Sequence, residues 1–158
     1  MLKIWLIRHG MTEGNRHQRY IGVTDEPLCE EGRKLLRKFT YPKPQAVFVS
    51  PLKRCLETAA ILFDDPKVRI IDQLAECNFG EFENKNYKEL SGDPRYQAWI
   101  DSNGILAFPG GESKEECAVR NGRFSESGYC MHTGSNYRGS TGRAWGYDHE
   151  YHGKICTS

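Results

Sequence analysis

Leu2-Lys3-Ile4-Trp5-Leu6-Ile7, followed at once by Arg8-His9-Gly10, is the stretch on which the fold turns. It is short and mostly apolar, the pattern of a parallel strand covered on both faces. Gly10 ends the run and permits a sharp turn. Arg8 and His9 are therefore expected at the carboxyl end of a buried strand, where open α/β sheets gather their ligand-binding groups. A guanidinium beside an imidazole there suits an anionic ligand, phosphate above all. The tripeptide alone is common by chance, so its weight comes from the segments that follow.

Downstream of Gly10, a polar segment runs from Met11 to Pro27 and reads as a loop lying over the end of that strand. Leu28 to Phe39 carries Leu28, Leu35, Leu36 and Phe39 on one helical face, and Pro42 and Pro44 end it. Ala46-Val47-Phe48-Val49 is a second strand. Ser50 and Pro51 suit the N-cap and first position of a helix that continues to about Phe63. Its apolar stripe is Leu52, Cys55, Leu56, Ala59, Ala60 and Phe63. Arg54 falls in the first turn, near Arg8 if the two strands are neighbours. Val68 to Ile71 is a third strand, and Leu74 to Glu83 is irregular. Tyr87–Leu90 and Pro94–Ile100 suit short helices, the second capped by Asp93, and Ser113 opens another. Strands alternating with helices predict an α/β fold with a largely parallel sheet.

The 158 residues suffice for one domain with a real core. Lys plus Arg is 22 and Asp plus Glu is 21, so no global field draws nucleic acid or a membrane surface. No apolar run approaches the about 18 residues of a membrane span, and the N-terminus does not read as a signal peptide. The six cysteines form no C-x-x-C pair and no compact framework, which points to free thiols in a cytoplasmic setting.

Composition changes near residue 117. Residues 1–116 hold 23 Ile, Leu and Val, whereas 117–158 hold two, Val119 and Ile155, among many Gly and Ser. That tail has no apolar period and is not expected to supply a buried strand. The chain thus divides into an α/β portion, 1–116, and an atypical tail, 117–158.

Several motifs in order resemble the histidine phosphatase superfamily, the phosphoglycerate mutase-like fold. They are Arg8-His9-Gly10-x-Thr12, Asn15, Ser50-Pro51-Leu52-x-Arg54, Leu74-x-Glu76 before Phe79-Gly80, and Gly110-Gly111-Glu112-Ser113. Tyr20 to Leu28 and Glu76 to Glu83 look most like the α-ribazole phosphatase branch, which acts in cobalamin biosynthesis. The resemblance implies a three-layer fold, a largely parallel sheet with helices on both faces. It also implies a phosphomonoesterase working through phosphohistidine. His9 would be the nucleophile, Arg8 and Arg54 the clamp on the phosphoryl oxygens, and Glu76 the general acid, then base. Asn15, Gly22 and Thr24 would contact the phosphate. No metal or other cofactor is implied, because guanidinium and imidazole groups supply the positive charge. The partner is a small phosphorylated metabolite rather than nucleic acid or membrane, and a homodimer stays open.

The family's second histidine, in a His-Gly-Gly motif, has no counterpart in the sequence. His152 is the candidate with about the right spacing after Gly111. A one-base shift over Ala144–Glu150 spells His-Gly-Gly-Thr-Ile-Met with permitted codons, so the tail reads as frame-shifted from near Cys117. Two alternatives remain: a sugar-phosphate phosphatase or phosphoglycerate mutase-type enzyme, and a phospho-ligand binding protein without turnover.

Overall fold

The segment from Val47 to Ile70 builds a parallel strand pair with a helical crossover. The computed structural model describes residues 3–64 and 67–126. Strand β1, Val47–Val49, leads into helix α3, Lys53–Leu62, and returns in β2, Val68–Ile70. The strands pair in parallel, with Val47 opposite Val68 and Val49 opposite Ile70. Ahead of them lie a one-turn helix α1, Glu13–Arg16, and helix α2, Glu30–Leu36. Behind them come two 3₁₀ turns, Asp72–Leu74 and Gly80–Phe82, then α4, Pro94–Asp101, and α5, Lys114–Glu126. The α/β class with parallel pairing is as the sequence predicts.

The opening strand is not. Residues 3–10 carry no strand, and Ile4, Leu6 and Ile7 are exposed, Leu6 by 59%. A parallel strand is held only by its neighbours' backbone groups, and no described residue pairs with this segment. Gly10 also serves differently from expectation. A Cβ there would meet Leu36 Cδ1 at 2.8 Å and Leu28 Cδ2 at 3.2 Å, so the glycine lets α2 close over the chain.

The segment expected as pure loop contains α1. Thr12 Oγ1 accepts the Asn15 backbone N–H and Asn15 Oδ1 accepts that of Thr12, each at 3.2 Å, a reciprocal cap on a single turn. α2 is shorter than predicted, and Phe39 lies past its end, 52% exposed. α3 starts at Lys53, not at Pro51, and Ser50 does not cap it. Asp25 does so from a distant loop, its Oδ1 accepting Lys53 N–H at 2.7 Å. Within the predicted stripe Ala60 is exposed, while Arg54 and Thr58 are buried.

A buried hydrophobic cluster is built from residues that follow β2. Phe82, Leu90, Tyr96, Phe108 and Cys77 form it, with Tyr20, Phe79 and Trp99 packed against them. The aromatic rings meet mostly edge to face, as between Phe82 and Tyr96 at 5.5 Å. Asp93 caps α4 as predicted, its Oδ1 accepting Arg95 N–H at 2.8 Å. Tyr87–Leu90 forms turns rather than a helix.

Ser113 and Glu116 cap α5 reciprocally: Ser113 Oγ accepts Glu116 N–H at 3.1 Å and Glu116 Oε2 accepts Ser113 N–H at 2.7 Å. This helix runs through residue 117. The remaining expectations for the tail, the frame shift and His152 among them, lie outside the described residues. Among the described residues no helix is long and apolar enough to cross a membrane.

Candidate active site

The site grows from Gly10 and the first turns of α3. Thr58 Oγ1 accepts the Gly10 N–H at 3.0 Å and donates to the Arg54 carbonyl at 2.7 Å, one turn back along α3. That link fixes the peptide after His9. His9 Nδ1 lies 2.7 Å from the Gly10 carbonyl oxygen. A carbonyl only accepts, so Nδ1 carries the ring proton and Nε2 keeps its lone pair. Arg54 Nε donates to that Nε2 at 3.2 Å.

Arg54 is 1% exposed and among the largest buried side chains. A buried guanidinium needs its donors satisfied. Its Nη1 donates to the Thr24 carbonyl at 2.8 Å and Nη2 to the Gly22 carbonyl at 2.6 Å. The guanidinium is thus held in a plane by two loop carbonyls, with its remaining edge on the imidazole. Burial lowers His9 to about 4, opposed by the Gly10 bond and aided by the charges of Arg54 and Arg8. The ring is neutral at pH 7, and its Nε2 lone pair, the one a nucleophilic imidazole uses, accepts the Arg54 N–H.

The other predicted residues divide by placement. Arg8 is exposed, makes no hydrogen bond or ion pair with the described residues, and acts on His9 through its charge. Asn15 is the third residue of α1, and its Oδ1 is used by Thr12. Glu76 is exposed, and its Oε1 accepts the Cys77 N–H at 2.9 Å. Its charge reaches the Cys55 thiol beside Arg54, which burial raises. Gly22 and Thr24 turn their N–H groups away from His9, onto the Glu83 carboxylate. Their carbonyls face Arg54, so in this structure they hold the guanidinium rather than offer donors to an anion. His152 is outside the described residues.

Sequence reasoning missed Thr58, Asp25 and Glu83. Thr58 had a signal: a hydroxyl one turn after Arg54, on a face otherwise apolar. Glu83 closes a motif already singled out but had no assigned partner. A metal has no evident cradle among the described residues. Cys77, Glu112 and Cys117 bring their ligand atoms within 4.8 Å of one another. Arg120 already holds both Glu112 oxygens at 2.9 Å, while burial pushes the Cys77 thiol up to about 12 and raises Cys117. Protonated thiols and a paired carboxylate make a poor cation site.

A parallel βαβ unit with a neutral histidine and a buried arginine just past β1 defines an α/β protein with a histidine-centred site. The sequence matches the Histidine phosphatase superfamily (branch 1) over residues 4–136, and the chain belongs to that family. It is 33% identical, over 78% of its length, to a 2,3-bisphosphoglycerate-dependent phosphoglycerate mutase 2 of Gloeobacter violaceus, of which it covers 62%. It is 31% identical, over 62% of its length, to an adenosylcobalamin/alpha-ribazole phosphatase of Salmonella typhimurium, of which it covers 52%. The chain therefore spans roughly half to three-fifths of these relatives. Among solved structures it is similar to the alpha-ribazole phosphatase of Shigella flexneri, with a TM-score of 0.70 at 28% identity over 81% of this chain and 68% of that one. It is also similar to a phosphoglycerate mutase from Thermus thermophilus, with a TM-score of 0.67 at 33% identity over 82% and 74% of the two chains.

Proposed function

We propose that this chain carries the phosphoryl-accepting centre of a phosphomonoesterase that works through phosphohistidine. The observation that supports it most is the His9 tautomer: proton on Nδ1 at the Gly10 carbonyl, lone pair on Nε2 beside Arg54. His9 Nε2 attacks phosphorus in line, an N–P bond forms and the P–O ester bond breaks. Glu76 gives its proton to the leaving alkoxide. Water then attacks phosphorus, the N–P bond breaks, and Glu76 takes the proton from water. Arg54 and Arg8 stabilise the charge on the equatorial oxygens. The arriving phosphoryl group takes over the Arg54 Nε–H contact that Nε2 now holds. Asn15 contacts the phosphoryl group.

The substrate proposed is α-ribazole 5′-phosphate or a similar nucleoside-like monophosphate, supported by the α-ribazole phosphatase relatives. A mutase reading draws on the phosphoglycerate mutase relatives. Purified full-length chain should release phosphate from α-ribazole 5′-phosphate faster than from 3-phosphoglycerate, and trap an acid-labile phosphoenzyme that His9→Ala lacks. Interconversion of phosphoglycerates without phosphate release favours the mutase. Activity that survives His9→Ala removes His9 as nucleophile. Binding of phosphate without turnover leaves a phospho-ligand binding protein.

A further inference from the structure

One carboxylate, that of Glu83, collects donors from two separate loops. Its Oε2 accepts the N–H of Gly22 at 3.1 Å and of Thr24 at 3.3 Å, and the Thr24 hydroxyl at 2.5 Å. Its Oε1 accepts the N–H of Val23 and of Phe79, both at 3.0 Å. Three successive backbone N–H groups converging on one anion form a nest, a geometry that a bare turn does not hold unaided. The carbonyls of the same turn, Gly22 and Thr24, point to the Arg54 guanidinium. In the Gly22–Val23 peptide the two meet: its C=O accepts from Arg54 and its N–H donates to Glu83, so that peptide dipole lies between the cation and the anion. Gly22 shows how closely the parts fit. A Cβ there would lie 2.4 Å from Glu83 Oε1 and 2.0 Å from the Cys77 carbonyl oxygen, so a side chain would expel the carboxylate.

We propose that Glu83 is a positioning residue, which sets Arg54, and through it His9, by anchoring the 22–24 turn. The inference rests on the reading of His9 as the phosphoryl acceptor for its meaning, but its geometry does not depend on turnover. Glu83 touches neither His9 nor Arg54. Its effect passes through backbone groups, so it survives any change of substrate.

The test uses the full-length chain with Glu83→Gln and, as control, Glu81→Gln, whose carboxylate instead pairs with exposed Arg95. Glutamine keeps the shape but sets an NH₂ against converging N–H donors. The turn then relaxes and Arg54 leaves Nε2. NMR titration of the His9 ring is expected to move upward from about 4 toward its ordinary value of 6.5. Orthovanadate affinity is expected to fall roughly tenfold or more, with kcat falling more than KM rises. Glu81→Gln leaves all three unchanged. Should Glu83→Gln fail to fold, Thr24→Val removes only the hydroxyl donor and is expected to shift the same readouts by a smaller amount. A folded Glu83 variant, or Thr24→Val, with the wild-type His9 titration and vanadate affinity overturns the proposal. A shifted His9 titration in a chain whose wild type turns over no phosphomonoester keeps Glu83 as anchor and removes the phosphatase reading instead.

Discussion

Arg54 and His9 lie 45 positions apart in sequence, yet Arg54 Nε donates to His9 Nε2 at 3.2 Å. The same guanidinium reaches two loop carbonyls, so one side chain ties α3, the 22–24 turn and the imidazole together. Lysine keeps the charge but offers a single nitrogen, which cannot span three acceptors in one plane. Arg54→Lys is expected to lower kcat for phosphomonoester hydrolysis by about 10²–10³-fold, the usual effect of losing one transition-state donor. Steady-state phosphate release measures it, and a loss of less than about threefold would show that charge alone suffices.

The depressed His9 pKa makes stability depend on pH. Folded His9 titrates near 4 and the unfolded residue near 6.5. Between these values the unfolded chain binds a proton that the folded chain does not, so stability rises with pH across that window. It is complete above 6.5 and falls by up to roughly 3 kcal/mol as pH drops to about 4. Urea unfolding at several pH values should show this slope in wild type and a shallower one in His9→Asn.

The motifs that were legible are those whose chemistry and position coincide locally. Arg8-His9-Gly10 announced itself by charge at the end of an apolar run, and Ser50 to Arg54 by the change from strand to helix. Asp93 was legible as a cap, and Ser113 as a helix start, because a helix opening is set by contacts within one turn. What escaped was non-local. Whether residues 2–7 pair depends on neighbours far along the chain, and their apolar pattern says nothing of these. The Asp25 cap on α3 spans 28 positions and the Glu83 nest about 60, and neither has a local periodicity. Thr58 hid for the opposite reason: in a helix that reads as apolar, a buried hydroxyl passes for a neutral filler.

That hydroxyl is expected to matter. Thr58 is 5% exposed, and its Oγ1 both accepts from Gly10 and donates to Arg54. Thr58→Val conserves volume and strands the Gly10 N–H in the interior, a cost of about 1–3 kcal/mol. Thr58→Ser keeps the hydroxyl and should cost about 1 kcal/mol or less. Urea midpoints of the two variants separate the hydroxyl from the methyl. Equal losses would show that packing, not the hydrogen bond, holds Gly10.

Arg120 itself is the test of how α5 supports the Glu76 segment. Its Nε and Nη2 each meet a Glu112 oxygen at 2.9 Å, while Nη1 donates to the Gln73 and Ala75 carbonyls at 2.9 and 2.8 Å. Glu112 in turn accepts the Asn78 N–H at 2.9 Å, on the far side of Glu76. The chain from 73 to 78 is thereby gripped on both sides of Glu76 by one ion pair. The pair is about a quarter exposed, so water replaces part of what a truncation removes. Arg120→Ala is expected to cost about 1–3 kcal/mol. In a double-mutant cycle with Glu112→Gln, the coupling should be about 0.5–3 kcal/mol, because the two changes break one network. The His9 titration should not move, because Arg120 touches neither Gly10 nor the 22–24 turn. The kcat for hydrolysis should fall, because a loosened 73–78 segment lets the Glu76 carboxylate wander. Additive losses in the cycle, or an unchanged kcat in a destabilised variant, would show that Glu76 is held by something other than α5.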